Sequence, residues 1–405
     1  MSSLHPFRAL RPAPGTAPSV SSVPYDVVNT EEARELAAGN PLSFLRVTRS
    51  EIDFPPTTDP YSSPVYAKAR SNFEMLKKQG PLVVEDAPSL YFYRLRMGDH
   101  EQTGIAGCFS IDEYESDVIK KHERTRRDKE DDRTRHILEL RAQTGVVFLT
   151  YKSAAGVDAV ARRVTNENPL YDFTDSDGVE HAVWRVPAAE TSTLVSEFAA
   201  IPALYIADGH HRAASAARAR AELRGQPDAD ESNRFIAVAF PDDQVQILPY
   251  HRTVKDLAGR SPEQFLDELR VVAPVGEGDG TPRHKGEVSM YLGGRWYVID
   301  LSRTSPEDDS RASSLDVALL QRHVLERILA IGDIRSDKRI DFVGGARGTK
   351  ALEDAVDSGK AAVAFSMFPV EIGDLIAISD AGGIMPPKST WFEPKLRDGL
   401  LIHTI

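Results

Sequence analysis

The sequence has little cysteine and no long apolar run. Its single cysteine, Cys108, cannot form a disulfide within one chain and excludes a metal cluster built from cysteines. No stretch approaches the ~18 uninterrupted apolar residues of a membrane-spanning helix. The first residues, MSSLHPFRALRPAPG, contain no apolar segment of the kind found in signal peptides. We therefore expect a protein of the reducing cytoplasm that has no membrane partner.

Basic charge and familiar catalytic motifs are also scarce. The 49 Lys and Arg residues are outnumbered by 61 Asp and Glu residues, which gives a formal net charge of −12. Nonspecific nucleic-acid binding needs clustered basic residues, so the composition argues against a nucleic-acid partner. The patterns GxGxxG, GxSxG and HExxH do not occur. The segment GGARGTK (344–350) lacks the spacing of a phosphate-binding P-loop.

The 405 residues include 41% apolar residues, enough for two or three domains or one elaborated core. Strand-type and helix-type segments alternate, which predicts a mixed α/β (α+β) fold. We expect an N-terminal region over 1–252, with a core at about 105–252, and a C-terminal α/β region over 253–405. The helices expected are one with Thr30 as N-cap, one over 64–80, one in the charged stretch 120–145 and an amphipathic one over 314–331. Residues 43–48 are expected to form a strand, and Gly293-Gly294 to form a hairpin turn.

The segment ALYIADGHHRAASAARAR indicates an anion site. A buried strand runs through Asp208 and Gly209 directly into an alanine-rich helix, whose first N–H groups and dipole attract negative charge. Gly209 permits a close backbone approach, and His210, His211 and Arg212 add side-chain donors. Asp208, at the carboxyl end of the strand, is a candidate ligand for Mg²⁺. A helix-capping turn with two surface histidines and a two-histidine metal site remain alternatives.

Three further segments supply candidate site residues. Phosphoryl transfer needs cations, a metal and a carboxylate that accepts a hydroxyl proton. Each segment also has a purely structural explanation. The charged stretch 120–145 is equally typical of a solvated helix face, and VPYDVV and the segment after the two prolines are equally typical of rigid turns. The candidates are Glu123 as base, Lys121, His122, Arg124 and Thr125 beside it, Lys388, Ser389 and Thr390 after two prolines, and Tyr25 and Asp26 in VPYDVV.

The motifs VPYDVV, KHERTRRDKEDDR, YIADGHHRAA and MPPKSTWFEPKL together resemble the bacterial and archaeal family catalogued as domain of unknown function 1015. More distantly, the order of acidic residue, helix, strand and DGHHR turn is similar to the ParB/sulfiredoxin superfamily. One branch of that superfamily phosphorylates free L-serine. The resemblance implies a nucleotide-binding core, with Glu123 as the catalytic base and Asp208 to Arg212 as the phosphate turn. An insertion around TNENPLYDFTDSDGVEH departs from the superfamily pattern and separates Glu123 from Asp208 along the chain.

These observations favour an ATP-dependent phosphotransferase that uses Mg²⁺ and acts on a small hydroxyl metabolite, with free L-serine as the first acceptor. Two other functions stay open. One is a nucleotide-binding regulator without a transfer reaction, and the other is a metal-dependent hydrolase using His122, His210 and His211. The partners expected are a nucleotide and a small molecule, and a homo-oligomer is compatible with the sequence.

Overall fold

The computed structural model describes residues 2–227 and 229–405. The chain divides into two compact units. The first contains the residues up to Val245 together with Pro394–Ile405, and the second contains Gln246–Glu393. The last residues therefore belong with the first unit, although the sequence had placed them in a C-terminal region. The domain boundary near residue 252 stays a prediction.

A sheet of nine strands forms the centre of the first unit. Its strand order is β6-β11-β8-β12-β5-β4-β10-β9, and β1 pairs with β5 beside this path. A separate pair is formed by β2 and β3. The strands of this unit are β1 Leu4–His5, β2 Leu10–Pro12, β3 Leu82–Val84, β4 Tyr91–Met97, β5 His100–Ser110, β6 Ile119–Lys120, β7 Ala142–Gln143, β8 Val147–Tyr151, β9 Tyr171–Thr174, β10 Glu180–Arg185, β11 Leu204–Asp208 and β12 Arg234–Pro241.

The direction of the strands decides which loops meet. Strand β6 runs parallel to β11, with Leu204 beside Ile119 and Tyr205 beside Lys120. Strand β8 is antiparallel to β11. The loop after β6, the loop after β11 and the loop before β8 therefore lie at one edge of the sheet. In open α/β sheets, the carboxyl ends of strands are the usual place for ligands.

Helices cover the sheet and extend the first unit. The two that matter most for the site, α6 and α9, pack together through the Ser215 hydroxyl, which donates to the Glu130 carbonyl (3.2 Å). The helices are α1 Ala17–Val20, α2 Thr30–Leu36, α3 Leu45–Thr48, α4 Ser63–Lys78, α5 Ile111–Glu115, α6 Arg127–Leu140, α7 Ala155–Thr165, α8 Ala188–Ala199 and α9 His210–Leu223, with 3₁₀ turns at Ser50–Asp53 and Asp230–Asn233.

Two local predictions in this unit are wrong. Residues 43–48 do not form a strand, because Leu45–Thr48 is a short helix. Its Val47 packs in a cluster with Phe44 and Phe73, so tertiary contacts override the strand preference of a β-branched residue. The N-cap of α2 is Asn29 rather than Thr30. The Asn29 side chain accepts hydrogen bonds from the backbone N–H groups of Glu31 and Glu32. The Glu32 side chain in turn accepts from the backbone N–H of Asn29, which completes a capping box.

The main core lies between the sheet and helices α7, α8 and α9. Large side chains from neighbouring strands, among them Phe109, Leu149 and Ile206, are fully buried there. Helix α9 contributes Ala213 and Ala216 to this core, and the partly buried Ala217 packs against it. These small residues let the helix backbone approach the sheet closely. The alanine-rich sequence of α9 therefore suits a helix that packs against the sheet.

The second unit is built on a six-stranded antiparallel sheet of order β15-β17-β16-β19-β14-β18, with a separate pair β13-β20. The hairpin predicted at Gly293-Gly294 is confirmed, and both glycines have positive φ (58° and 79°). The predicted helix over 314–331 begins as α-helix and continues as a π-helix over Gln321–Glu326. Its elements are β13 Gln246–Leu248, β14 Tyr250–Val254, α10 Pro262–Val272, β15 Val275–Glu277, β16 Glu287–Leu292, β17 Arg295–Asp300, α11 Asp316–Leu320, β18 Ile340–Gly344, α12 Lys350–Asp357, β19 Val363–Ser366, α13 Ile372–Asp380 and β20 Trp391–Glu393, with 3₁₀ turns at Leu301–Arg303 and Gly345–Arg347.

The C-terminal segment, residues 394–405, is anchored along the first unit. Bridges join Ser22 to Asp398 and Leu10 to Ile402, and the final strand His403–Thr404 pairs with β7. The segment therefore brings charged residues of the chain's end to the unit that carries the DGHHR turn. Within the described ranges, no helix has the length and apolar character needed to cross a membrane. The mixed α/β class predicted from the sequence is confirmed.

Candidate functional site

The turn Asp208–Arg212 joins β11 to α9, as the sequence predicts. Gly209 adopts a left-handed conformation (φ 96°, ψ 29°) at the N-cap position. The first intrahelical bond runs from Ala213 N to Gly209 O (3.0 Å). The N–H groups of His210, His211 and Arg212 precede that bond and form the free donors of the helix start. The turn therefore has the backbone geometry of an anion site at a helix N-terminus.

Gly209 is required by both its conformation and its surroundings. A left-handed backbone costs an L-residue about 1–2 kcal/mol. A Cβ at position 209 would also lie 3.0 Å from Cζ of Arg212. We expect Gly209→Ala to lower the free energy of unfolding by more than Gly225→Ala. Gly225 has a similar φ (80°) but no atom within 4 Å of its added Cβ. Urea unfolding of both variants measures the difference, and equal losses would mean that crowding against Arg212 has no effect.

The segment that follows β6 meets this turn. The backbone N–H of Arg126 donates to Nε2 of His211 (3.0 Å), and that of His122 donates to Nε2 of His210 (3.4 Å). The rings of His122 and His210 contact edge to face, with centroids 4.4 Å apart and an angle of 84° between their planes. The structure thus brings together two segments that the sequence singled out separately.

The histidines of the site are neutral at physiological pH. Burial lowers the pKa of His122 to about 4. Burial, followed by the neighbouring His122, holds the pKa of His210 well below its usual value. Burial also lowers the pKa of His211. Each ring is therefore a hydrogen-bonding group here rather than a cation.

Glu123 lies at the open side of this arrangement. One of its carboxylate oxygens, Oε2, is 3.7 Å from Nδ1 of His210, and 42% of its side chain is exposed. His210 itself is buried, with 4% exposed. The carboxylate thus borders the DGHHR turn and remains accessible to a small molecule. This is the placement that the proposed base needs, although its role stays a prediction.

Arg212 faces inward. It is 7% exposed, and Nη1 donates to the carbonyl of Val146. Nη2 contacts the carboxylates of Asp26 (3.3 Å) and Asp208 (3.2 Å). Burial opposes the charge of Arg212, but Asp26 and Asp208 outweigh it and raise its pKa. The sequence predicted a phosphate grip for this guanidinium, whereas in the structure it joins two carboxylates beneath the turn.

Asp208 is neutralised from two sides. Its Oδ2 accepts from Arg212 and lies 3.5 Å from Nζ of Lys395. Burial acts to raise the pKa of Asp208, but Lys395 and Arg212 outweigh it and hold the pKa below the usual range for aspartate. Asp208 is therefore ionised across the physiological range. Lys395 was missed in the sequence because it is distant along the chain, although it lies within the MPPKSTWFEPKL motif.

Tyr25 and Asp26 belong to the same neighbourhood. Asp26 reaches Arg212, and the guanidinium of Arg133 stacks over the ring of Tyr25 with its Cζ 4.2 Å from the ring centroid. Burial raises the pKa of the Tyr25 phenol, so it is a neutral donor. The VPYDVV segment forms turns rather than a strand. Its predicted contribution of a phenol and a carboxylate to a pocket is compatible with this placement.

Asp398 is a second residue that the sequence did not reveal. It is 2% exposed, and its Oδ2 has no hydrogen-bond partner among the described residues. Burial raises its pKa to about 7, against the opposing effect of Arg212. A buried aspartate beside Arg212 is thus partly protonated near neutral pH. Its position in the terminal segment gives no local signal of this environment.

Asp398 makes stability depend on pH. Its pKa is higher in the folded state than the usual 3.8, so the folded chain binds more protons between about pH 4 and 7. The free energy of unfolding should therefore fall as pH rises through this window, by an amount on the order of 3 kcal/mol from this group. Asp398→Asn should flatten that fall. Urea unfolding at pH 5 and pH 8 tests this, and an equally steep fall in the variant would contradict it.

Several predicted residues of the 121–125 segment make other contacts. The Lys121 ammonium donates to the carbonyl of Tyr114 (2.7 Å) and lies 3.3 Å from Asp117. The Thr125 hydroxyl donates to Glu130. Arg124 is exposed. Of this segment, His122 and Glu123 are the residues whose side chains contact His210, so they are the stronger candidates.

Lys388, Ser389 and Thr390 lie in the second unit. Lys388 has a left-handed backbone (φ 60°), and its carbonyl accepts from Arg252 Nη2 (2.9 Å). Its ammonium lies over the ring of Tyr250 at 5.4 Å from the centroid. The Ser389 hydroxyl donates to the carbonyl of Pro386 (2.6 Å). These contacts describe a rigid turn, and a role for it in substrate binding stays a prediction.

Metal-binding groups are sparse. Among residues 2–227 and 229–405, no group of three or more His, Cys, Asp or Glu side chains is arranged to hold a metal ion. Asp26 and Asp208 share one atom of Arg212 as a partner, so their carboxylates converge. Mg²⁺ often uses only one or two carboxylates and completes its shell with phosphate oxygens and water. Both carboxylates are already paired with Arg212, so the role of Asp208 as a ligand for Mg²⁺ stays a prediction.

The fold and the turn define a mixed α/β protein in which a helix N-terminus with the backbone geometry of an anion site lies at the sheet edge. The chain belongs to the family described as "Protein of unknown function (DUF1015)", whose model matches residues 4–318. This confirms the family predicted from the four motifs. Among curated proteins, none matches the sequence.

Three solved structures are similar to this chain at low sequence identity. One is a conserved hypothetical protein from Pyrococcus furiosus, with 14% identity over 73% of this chain and 94% of that chain and a TM-score of 0.36. A free serine kinase in complex with AMP has 12% identity over 73% of this chain and 91% of that chain, and a TM-score of 0.38. SbnI with a C-terminal truncation, from Staphylococcus aureus, has 13% identity over 74% of this chain and 87% of that chain, and a TM-score of 0.38.

Proposed function

We propose that this protein binds ATP with its phosphates at the Asp208–Arg212 turn and transfers the terminal phosphoryl group to the hydroxyl of a small metabolite. Free L-serine is the first acceptor to test. The observation that carries the proposal is the meeting of three features at one sheet edge. These are the free N–H groups at the start of α9, the neutral buried histidines and the accessible carboxylate of Glu123.

Each feature has a part in the proposed reaction. The backbone N–H groups of His210 and His211 bind phosphate oxygens, and the dipole of α9 favours their negative charge. The ammonium of Lys395 contacts Asp208, which precedes the first turn of α9, and therefore adds positive charge at this end of the helix. Asp26 and Asp208 would hold Mg²⁺, which supplies charge compensation to the phosphate oxygens when bound. Because the histidines are neutral, they contribute hydrogen-bonding groups and no positive charge to the site.

Glu123 is proposed as the general base. Its carboxylate accepts the proton of the acceptor hydroxyl while that oxygen forms a bond to the terminal phosphorus. The bond between this phosphorus and the bridging oxygen breaks, and ADP leaves with the electron pair. Positioning and a well-placed base are the main contributions that a protein makes to this chemistry. The site offers both without a covalent intermediate.

The 405-residue protein should be incubated with Mg-ATP and L-serine, and O-phosphoserine and ADP should be quantified by mass spectrometry. A panel of other amino acids and polyols tests the acceptor class. Formation of a phosphorylated product from any of these acceptors supports the phosphotransferase. Nucleotide binding without product or ATP consumption would instead support a regulator that binds nucleotide, and absence of both would overturn the proposal.

A further inference from the structure

His210 is enclosed between His122 and Glu123. Only 4% of it is exposed, and the ring of His122 packs against it edge to face at 4.4 Å. This packing restricts rotation of the imidazole. Its two nitrogens therefore face fixed partners, Nε2 towards the backbone of His122 and Nδ1 towards the carboxylate of Glu123.

The backbone determines which nitrogen of His210 carries the proton. The N–H of His122 is a donor only, and it points at Nε2 from 3.4 Å. Nε2 must therefore present its lone pair. A neutral imidazole with an accepting Nε2 carries its hydrogen on Nδ1. The ring thus directs an N–H group towards Glu123.

We infer that His210 is a positioning residue for Glu123, holding one carboxylate oxygen through its Nδ1–H group. This inference rests on the proposed function. The present separation of 3.7 Å is longer than a hydrogen bond. The Glu123 side chain is 42% exposed, and we expect its carboxylate to approach Nδ1 more closely when substrate is bound. Catalytic hydrogen bonds are often long before substrate binds and tighten in the complex.

This arrangement assigns a partner to one oxygen of Glu123, because Oε2 is the oxygen that faces His210. A neutral donor orients the carboxylate without the full opposing charge of an imidazolium, which would lower its basicity. His122 takes part in two ways, because its backbone N–H determines the tautomer of His210 and its ring restricts rotation of the imidazole. The sequence neighbours His122 and Glu123 thus act on the same ring from two sides.

Substitutions of His210 separate positioning from packing. The amide N–H of an asparagine side chain lies near the place of Nδ1, whereas that of glutamine lies near Nε2. We expect His210→Gln and His210→Ala to lower kcat by about 10- to 100-fold, the value of one hydrogen bond to a charged group. The KM for ATP should stay within a factor of about two. His210→Asn should recover most of the lost kcat.

Two kinetic results would overturn the inference. One is a kcat of His210→Gln equal to that of the unmodified protein, and the other is a His210→Asn variant no faster than His210→Ala. Thermal melting of each variant identifies any that fail to fold. If a His210 variant fails to fold, the imidazole ¹⁵N resonances of the unmodified protein and of Glu123→Gln test the contact between His210 and Glu123 instead.

The ¹⁵N measurement is independent of activity. A proton on Nδ1 of His210, with an Nδ1 resonance that shifts in Glu123→Gln, supports the contact even if no acceptor is phosphorylated. A proton on Nε2 overturns it even if serine is phosphorylated. Failure of the proposed function and failure of this inference are therefore distinguishable.

Discussion

Replacing Glu123 by glutamine should reduce kcat by about 10²- to 10⁴-fold, the usual contribution of a general base. Glutamine keeps the size of the side chain but cannot accept the proton of the acceptor hydroxyl. Because 42% of the Glu123 side chain is exposed, the substitution should leave folding intact. The affinity for ATP should change little, since the proposed phosphate contacts come from the backbone of the turn. Steady-state kinetics and calorimetric titration with ATP measure the two quantities separately.

Glu167→Gln is a matched control for this experiment. Glu167 is also exposed and lies in the first unit, but in the turn after α7. This control should retain full kcat. Loss of ATP binding in Glu123→Gln would argue against a base and for a role in holding the nucleotide. Unchanged kcat in that variant would remove Glu123 from the mechanism.

The central turn was predictable because its signal is local. A buried strand, a glycine and an alanine-rich helix follow one another without interruption, and β11, Gly209 and α9 form as expected. The same holds for α4 and for the hairpin at Gly293-Gly294. In each case, hydrophobic spacing and the conformational preference of glycine act within a few residues.

The parts that sequence reasoning missed depend on contacts between distant segments. Lys395 reaches Asp208, and Asp398 lies beside Arg212, only because the C-terminal segment returns along the first unit. The hydrophobic periodicity of the sequence does not predict that the C-terminal segment pairs with the first unit. The short helix Leu45–Thr48 was mistaken for a strand for a related reason, since its packing against Phe73 decides its conformation.

Arg212 shows how the same residue type serves different purposes when buried or exposed. From the sequence, an arginine at a helix start next to two histidines indicates a phosphate ligand. In the structure, its guanidinium holds Val146, Asp26 and Asp208 together. In the proposed site, the helix backbone therefore supplies the donors to the phosphates, and Arg212 maintains the shape of the turn that exposes them.

Replacing Arg212 by methionine should consequently be among the most destabilising single changes at the site. Removing one partner of a buried ion pair costs about 3–5 kcal/mol, because the other charge loses its compensation. Asp26 and Asp208 are partly exposed, which reduces the penalty, so we expect a loss of about 3 kcal/mol in the free energy of unfolding. Methionine retains much of the packing volume. Urea unfolding at pH 7 measures the loss.

Arg218→Met provides the comparison on the same helix. Arg218 pairs with Glu130 and Asp131, but 35% of its side chain is exposed. Pairs of this kind contribute about 0–1 kcal/mol, because solvent screens them. If Arg212→Met cost no more than Arg218→Met, the guanidinium of Arg212 would not be what holds the turn together. A large difference between two arginines on one helix would show instead that α9 is fixed at its first turn, where the proposed phosphate site requires a rigid backbone.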